Sequence, residues 1–235
     1  MKKRSMGDRI FDAIVYAILV VVFLIVFFPL MYVVSTSFAS ARELALNKFL
    51  IFPKHPTLEV YQYIFSTSTF LRSMIVTIVI TVVGTLVNLV MTCLMAYPLS
   101  RKALPGRSVI MTAVTFTLVF SGGMIPMYLT VQQLHIYNTT WAMVLPVAVS
   151  AYNLIVCRSF FESGIPVELL EAAKIDGCSD FGFFFKIAIP LSKTIIAVMC
   201  LFYATAMWNQ FFNALMFLQD DSKMPLQVVL RNLVL

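Results

Sequence analysis

Charge is scarce in this chain. Only 12% of its 235 residues are Asp, Glu, Lys or Arg, against roughly 25% in an ordinary soluble domain. Such a chain cannot cover a water-facing surface, which excludes a soluble globular fold. Metal and thiol chemistry are poorly provided as well. Two histidines, His55 and His135, stand alone, and Cys93, Cys157, Cys178 and Cys200 form no C-x-x-C pair. Neither a zinc or redox site nor a disulfide framework is implied. Buried thiols acting as small apolar side chains are the simpler reading. The phosphate-cradling sequence G-x-x-x-x-G-K-[ST] is missing, so ATP is not bound by that route. No nucleophile–base pair occurs either. We therefore expect no catalytic residue, no cofactor and no metal, and a chain that is not itself an enzyme.

What is there instead is apolar sequence: 60% of residues are hydrophobic and mean hydropathy is +0.91. A membrane-crossing helix needs about 20 predominantly apolar residues. Residues 13–41, 73–100, 108–157 and 194–219 contain no charge. The long third run is interrupted at Gly122-Gly123, Pro126 and the polar stretch 132–138. Five spans are predicted, near 12–35, 73–99, 108–130, 139–157 and 194–218. The expected class is an all-α, polytopic membrane helix bundle. The first apolar run follows Lys2-Lys3-Arg4 and precedes Ala39-Ser40-Ala41, as in a signal peptide. It is about twice the 7–15 residues of a signal core, so an uncleaved anchor is expected.

The net charge of +6 need not mean nucleic acid, because the basic residues are placed by side. With alternating spans, eleven of the seventeen Lys and Arg fall on one face: Lys2, Lys3, Arg4, Arg9, Arg101, Lys102, Arg107, Arg158, Lys174, Lys186 and Lys193. The other face receives Arg42, Lys48, Lys54, Arg72, Lys223 and Arg231. The positive-inside bias puts the N-terminus and loop 158–193 in the cytoplasm, with loop 36–72 and the C-terminal tail outside. Five spans leave Leu235 outside while the tail turns apolar again, so a truncated chain lacking a last span is expected. The chain then divides into an anchor span with its external loop, 1–68, and a transmembrane domain, 69–235, incomplete at its C-terminus.

Loop 158–193 concentrates the remaining charge. Pro166 suits the first turn of a helix, and Glu168 then lies where the macrodipole favours an acid. Leu169, Ala172, Ala173 and Asp176 follow helical spacing along one face. The small Ala172-Ala173 pair would let another backbone approach. Gly177 is placed to end the helix with positive φ, and Ser179 or Asp180 can cap a second helix. Phe181, Phe183, Phe184 and Phe185 would form an apolar, interface-seeking surface, and Pro190 would end or kink this element. One reading is an amphipathic helix on the inner leaflet, which explains the phenylalanines but not the acids. The other is docking to a soluble protein partner.

The run Glu171-Ala172-Ala173-Lys174-Ile175-Asp176-Gly177, followed by Phe185-Lys186-Ile187-Ala188-Ile189-Pro190-Leu191, resembles the EAA loop of ABC importer permeases. The approach Ser159–Leu170 and the stretch Phe120–Pro126 resemble the carbohydrate branch, the maltose-type and lipoprotein-associated oligosaccharide permeases. The resemblance covers nearly the whole chain, less a sixth span. It implies a type I (MetI-like) importer permease in a bacterial cytoplasmic membrane. The implied partners are a second permease subunit, two ATP-binding-cassette ATPase subunits, an extracytoplasmic solute-binding protein and the lipid bilayer, with no nucleic acid. It further implies that Glu168, Glu171, Ala172, Ala173, Asp176 and Gly177 form the ATPase-coupling segment, with Glu171 meeting a basic residue.

Polar side chains inside spans are costly in lipid and face the bundle or a water-filled path. Asn88 is alone in its span, while Trp208, Asn209, Gln210 and Asn213 cluster in the last. Asn209 and Asn213, four apart, would share a helical face. These five are the candidate pathway residues: amides meet sugar hydroxyls and rings stack on sugar faces. Interhelical hydrogen bonds are the competing use. Alternatives are the same machinery carrying a polyol or glycerol phosphate, for which no span holds a cation, and a non-transporting membrane scaffold.

Overall fold

A computed structural model describes residues 6–46 and 52–234, with backbone alone at Ala41 and Val234. Lys2, Lys3, Arg4, Lys48 and Leu235, used above for orientation and chain end, lie outside the described residues. The described residues are helical with no strand. The helices are α1 (Met6–Ser37), α2 (Ala41–Leu46), α3 (Glu59–Ser66), α4 (Ser68–Ser100), α5 (Arg107–Val119), α6 (Met124–Gln133) and α7 (Trp141–Val144). They continue with α8 (Ala151–Gly164), α9 (Val167–Ile175), α10 (Asp180–Phe183), α11 (Ile189–Leu191), α12 (Lys193–Trp208), α13 (Phe212–Phe217) and α14 (Leu226–Val234).

The chain separates into two compact units, Met1–Ser68 and Thr69–Leu235. In the first, the Tyr61 hydroxyl donates to Ser37 Oγ at 2.9 Å, and its ring lies 5.5 Å from that of Phe38. The Glu43 carboxylate accepts the Lys54 N–H at 2.6 Å.

The second unit is organised along α4. Its 33 residues reach about 50 Å at a rise of about 1.5 Å each, more than the roughly 30 Å of a hydrocarbon core. Its buried face is built mostly from small and polar residues at steps of three and four: Ser73, Thr77, Ile80, Gly84, Asn88, Thr92 and Ala96. Ile75, Val79, Val82, Leu86 and Val90 face out. That inversion is membrane logic, since lipid solvates large apolar side chains and small residues let helices approach. Gly84 shows how close: a β-carbon there would lie 2.5 Å from Met207 Sδ.

Among the described residues, only α1 and α4 are long and apolar enough to cross alone; the count reaches five if each of three bent pairs is taken as one span. Three expected spans are therefore corrected. Residues 108–130 are not one rod: α5 and α6 meet at 120°. Gly123, at φ 84°, takes the left-handed backbone that glycine tolerates. Residues 139–157 also divide, with Trp141–Val147 and α8 meeting at 55° across residues 148–150. Helix α8 then runs on to Gly164, past the expected end. The last span stops at Trp208, and α13 is separate. Between α10 and α11, residues Phe184–Ala188 are π-helical, a widened turn often found at functional sites. The whole segment Asp180–Leu191 meets α12 at 81°.

Candidate functional site

Helix α9 is bounded by local chemistry. Pro166 is its N-cap rather than its first helical residue (φ −55°, ψ 148°), one position earlier than expected. At the other end the Gly177 N–H donates to the Lys174 carbonyl at 3.0 Å, and the Cys178 N–H to the Ala173 carbonyl at 2.9 Å. With Gly177 at φ 78°, this is a Schellman cap. The next helix starts where Ser179 Oγ accepts the Gly182 N–H at 3.1 Å.

Tertiary packing divides the residues of α9 in a way that spacing did not predict. Ala173 is buried against a core containing Phe161, Ile165 and Phe183, and Leu170 packs on the same core. Glu168, Leu169, Glu171, Ala172 and Asp176 are exposed, and Ile175 is 87% exposed. The Ala172-Ala173 pair is thus split, one alanine holding the helix down and one facing out. The phenylalanine surface needs the same correction. Phe183 and Phe184 are buried, whereas Phe181 and Phe185 are exposed. The Tyr97 ring, 5.0 Å from Phe184 and 6.3 Å from Phe183, draws two of the four inward. Lys174 pairs with Asp180 at 3.1 Å, a surface contact contributing about 0.2–1 kcal/mol. Among the described residues, Glu168, Glu171 and Asp176 make no ion pair within the chain. The surface of α9 is acidic, with apolar Leu169 and Ile175 beside it.

Behind α9, the end of α4 is held by a charged clasp. The Leu99 carbonyl accepts Arg107 Nε at 2.8 Å and Arg158 Nε at 3.2 Å. Both guanidinium groups then grip one carboxylate, Glu162: Arg107 through Nη2 at 2.9 Å, and Arg158 across one turn of α8. An α-helix leaves its last four carbonyls without internal partners, and cations are favoured at that pole. The sequence reading used these arginines only to assign sides. Glu162 at i+4 from Arg158 was the local signal for their second use.

Further along α4 lies a chamber of about 320 Å³. It gathers three of the five candidate pathway residues, Asn88, Gln210 and Asn213, and adds Ser150, Asn153 and Tyr203. Gln210 donates to the Met143 carbonyl at 3.0 Å, and Asn213 to Gln210 Oε1 at 3.3 Å. The Tyr203 hydroxyl lies 2.6 Å from Thr92 Oγ1 and accepts the Ser150 N–H at 3.3 Å. Asn88 is fully buried, yet both polar atoms of its amide lack a hydrogen-bond partner. Such an amide costs about 1–3 kcal/mol if left dry. Trp208 and Asn209 are not in this chamber. Both are exposed, and Asn209 donates back to the Thr205 carbonyl at 2.8 Å. The helix ends at Trp208, so 3.6-residue periodicity does not carry from Asn209 to Asn213. Ser150, Asn153 and Tyr203 were missed, although Asn153 is a lone amide in an apolar run, the same signal that marked Asn88.

No model of a known protein family matches the chain. Individual proteins do. It is 50% identical over 229 residues to the protein LplC of Bacillus subtilis (strain 168), covering 97% of this chain and 77% of that one. It is 45% identical over 230 residues to the polygalacturonan/rhamnogalacturonan transport system permease protein YtcP of the same organism, covering 98% and 80%. The chain belongs to the ABC importer permeases. Among solved structures, a chain of a bacterial ABC transporter involved in the import of the acidic polysaccharide alginate superposes with a TM-score of 0.93 at 31% identity, covering 99% of this permease and 82% of that chain. The all-α membrane architecture expected from sequence is thereby shown for this permease, and its relatives are permease subunits for saccharide cargo.

Proposed function

We propose that this permease forms half of a carbohydrate-conducting pathway and takes its power from a soluble ATPase seated on α9. One observation carries the docking reading. Helix α9 is anchored from below by Ala173 and Leu170, while Glu168, Glu171, Ala172 and Asp176 are exposed with no ion-pair partner among the described residues. A helix on the anionic inner leaflet would favour cations at that surface. An acidic, alanine-bearing helix favours a groove with a basic wall, where Glu171 meets a cation. Gly177 lets the chain turn back at once. On this reading ATP hydrolysis belongs to two partner subunits, and the arginine-rich end of the unit faces the cytoplasm, as does the N-terminus. A solute-binding protein delivers cargo at the opposite end of residues 69–235, where the turn 132–138 emerges.

The cargo reading is supported by the chamber. Its amides, hydroxyls and one phenol offer donors and acceptors without a fixed charge, which matches a polyhydroxylated neutral solute. The unpartnered Asn88 amide waits for a hydroxyl or a water. Trp208 and Asn209 are exposed, as a pathway wall shared with a second permease would require.

The test is reconstitution of the permease pair with its ATPase and binding protein, with co-purification, ATP hydrolysis and sugar uptake measured together. Glu171→Lys should abolish ATPase co-purification while membrane insertion persists. Unchanged co-purification would overturn the docking reading.

A further inference from the structure

Arg101, the residue after α4, is more than an orientation charge. Its guanidinium carbon lies 4.8 Å from the centroid of the Tyr97 ring and 5.9 Å from that of Phe183. Its Nη1 donates to the Ile165 carbonyl at 3.2 Å. Its Nε and Nη2 are buried without hydrogen-bond partners. Unmet buried donors are destabilising, so backbone capping alone is a poor reason for an arginine here. A planar cation that can lie against two aromatic rings while one nitrogen donates forward is a better one.

The contacts fall on three different parts of the chain. Tyr97 belongs to the last turn of α4. Ile165 precedes Pro166, the N-cap of α9, and Phe183 closes α10 just after it. Arg101 therefore holds the way into α9 and the way out of it on the end of a single long helix. Without that tie, a push on α9 could be absorbed by rotation in the short peptides on either side, 164–166 and 176–179. The clasp of Arg107, Arg158 and Glu162 does not do this, because it joins α4 to α5 and α8 and touches neither flank of α9.

We propose that Arg101 is the positioning residue that converts movement of α9 into movement of α4. The same α4 carries Asn88 into the chamber, so one rigid element runs from the docking helix to the pathway. The proposal rests on the reading of α9 as the ATPase-docking helix, and its test separates the two.

The experiment uses the reconstituted complex of both permeases, ATPase and binding protein in vesicles, loaded with a candidate oligosaccharide. Arg101→Ala should keep ATPase co-purification and basal ATP hydrolysis within about twofold of the unaltered complex. It should lose about tenfold in sugar moved per ATP hydrolysed, the scale of an ordinary coupling interaction. Arg101→Lys keeps a donor for the Ile165 carbonyl but not the flat cation, and should fall between. That graded order of Arg, Lys and Ala in the transport-to-hydrolysis ratio would not follow from a packing role. An unchanged ratio in Arg101→Ala overturns the proposal, and so does equal loss of assembly in both variants. Retained co-purification in Glu171→Lys overturns the docking reading instead, whatever Arg101 does.

Discussion

At the arginine-rich end of residues 69–235, two guanidinium groups meet one helix carbonyl and share one carboxylate. At the opposite end a single asparagine does the tying. Asn138 Oδ1 accepts the Gln219 N–H at 3.1 Å and the Asp220 N–H at 3.2 Å, and its own N–H donates to the Phe217 carbonyl at 2.8 Å. Its carbonyl takes the Lys223 ammonium at 2.9 Å. The first arrangement gathers α4, α5 and α8 at one point. The second joins only two turns. Hydrogen bonds with an ion on one side are roughly twice as strong as neutral ones. The end proposed to receive force is thus the stiffer, and the end proposed to receive cargo is held by a local, mostly neutral stitch.

The most forceful way to break this contrast is Glu162→Ala. It strands two partly buried guanidinium groups, and should lower the stability of the detergent-solubilised complex by about 2 kcal/mol, read as a drop in the thermal midpoint. An effect no larger than that of the outer stitch would mean the two ends are equally stiff. Asn138→Ala should come next, at about 1–2 kcal/mol. It leaves two amide N–H groups without their acceptor and puts alanine at φ 56°, where asparagine is tolerated better. Its loss should be matched by faster proteolysis near Gln219 rather than by weaker ATPase binding. Asn88→Leu, between the ends, should go the other way. It removes an unpartnered amide, so stability should hold or rise by up to about 1 kcal/mol while sugar uptake falls several-fold. A fall in both would make Asn88 a structural residue. The smallest effect is titration of Asp220, whose carboxyl is held below its usual range chiefly by the Ser222 side chain and then by the Ser222 N–H. Because the folded value is the lower one, this contribution is complete above the unfolded carboxylate pKa of about 3.9. It is lost as pH falls through the folded value. Asp220→Asn should therefore flatten the acid limb of the thermal midpoint slightly and lower the midpoint at neutral pH by the same small amount.

Legibility from sequence followed the range of the interactions. The ends of α9 were readable to within a residue because Gly177 and Ser179 act on their immediate neighbours. Which alanine faces out was not, because Ala173 is turned inward by Phe161, Ile165 and Phe183, far away or across a turn. The four phenylalanines failed for the same reason, since Tyr97 lies more than eighty positions before them. Apolar runs gave the crossings but not their breaks: charge counting does not register a 120° bend, although Gly122-Gly123 marked the place. In the chamber, Asn88 and Gln210 carried a sequence signal as costly groups in lipid. The shared face of Asn209 and Asn213 failed because helical spacing was carried past the end of α12.

None of the residues lining the chamber is charged. A compartment lined by amides, hydroxyls and a phenol beside Val147, Ala206 and Met207 has no means of electrostatically trapping what enters. On the proposed function, capture of the solute then belongs upstream, to the binding protein that hands it over. Altering the diet of a cell that carries this importer should accordingly call for a new delivery protein before it calls for a new channel.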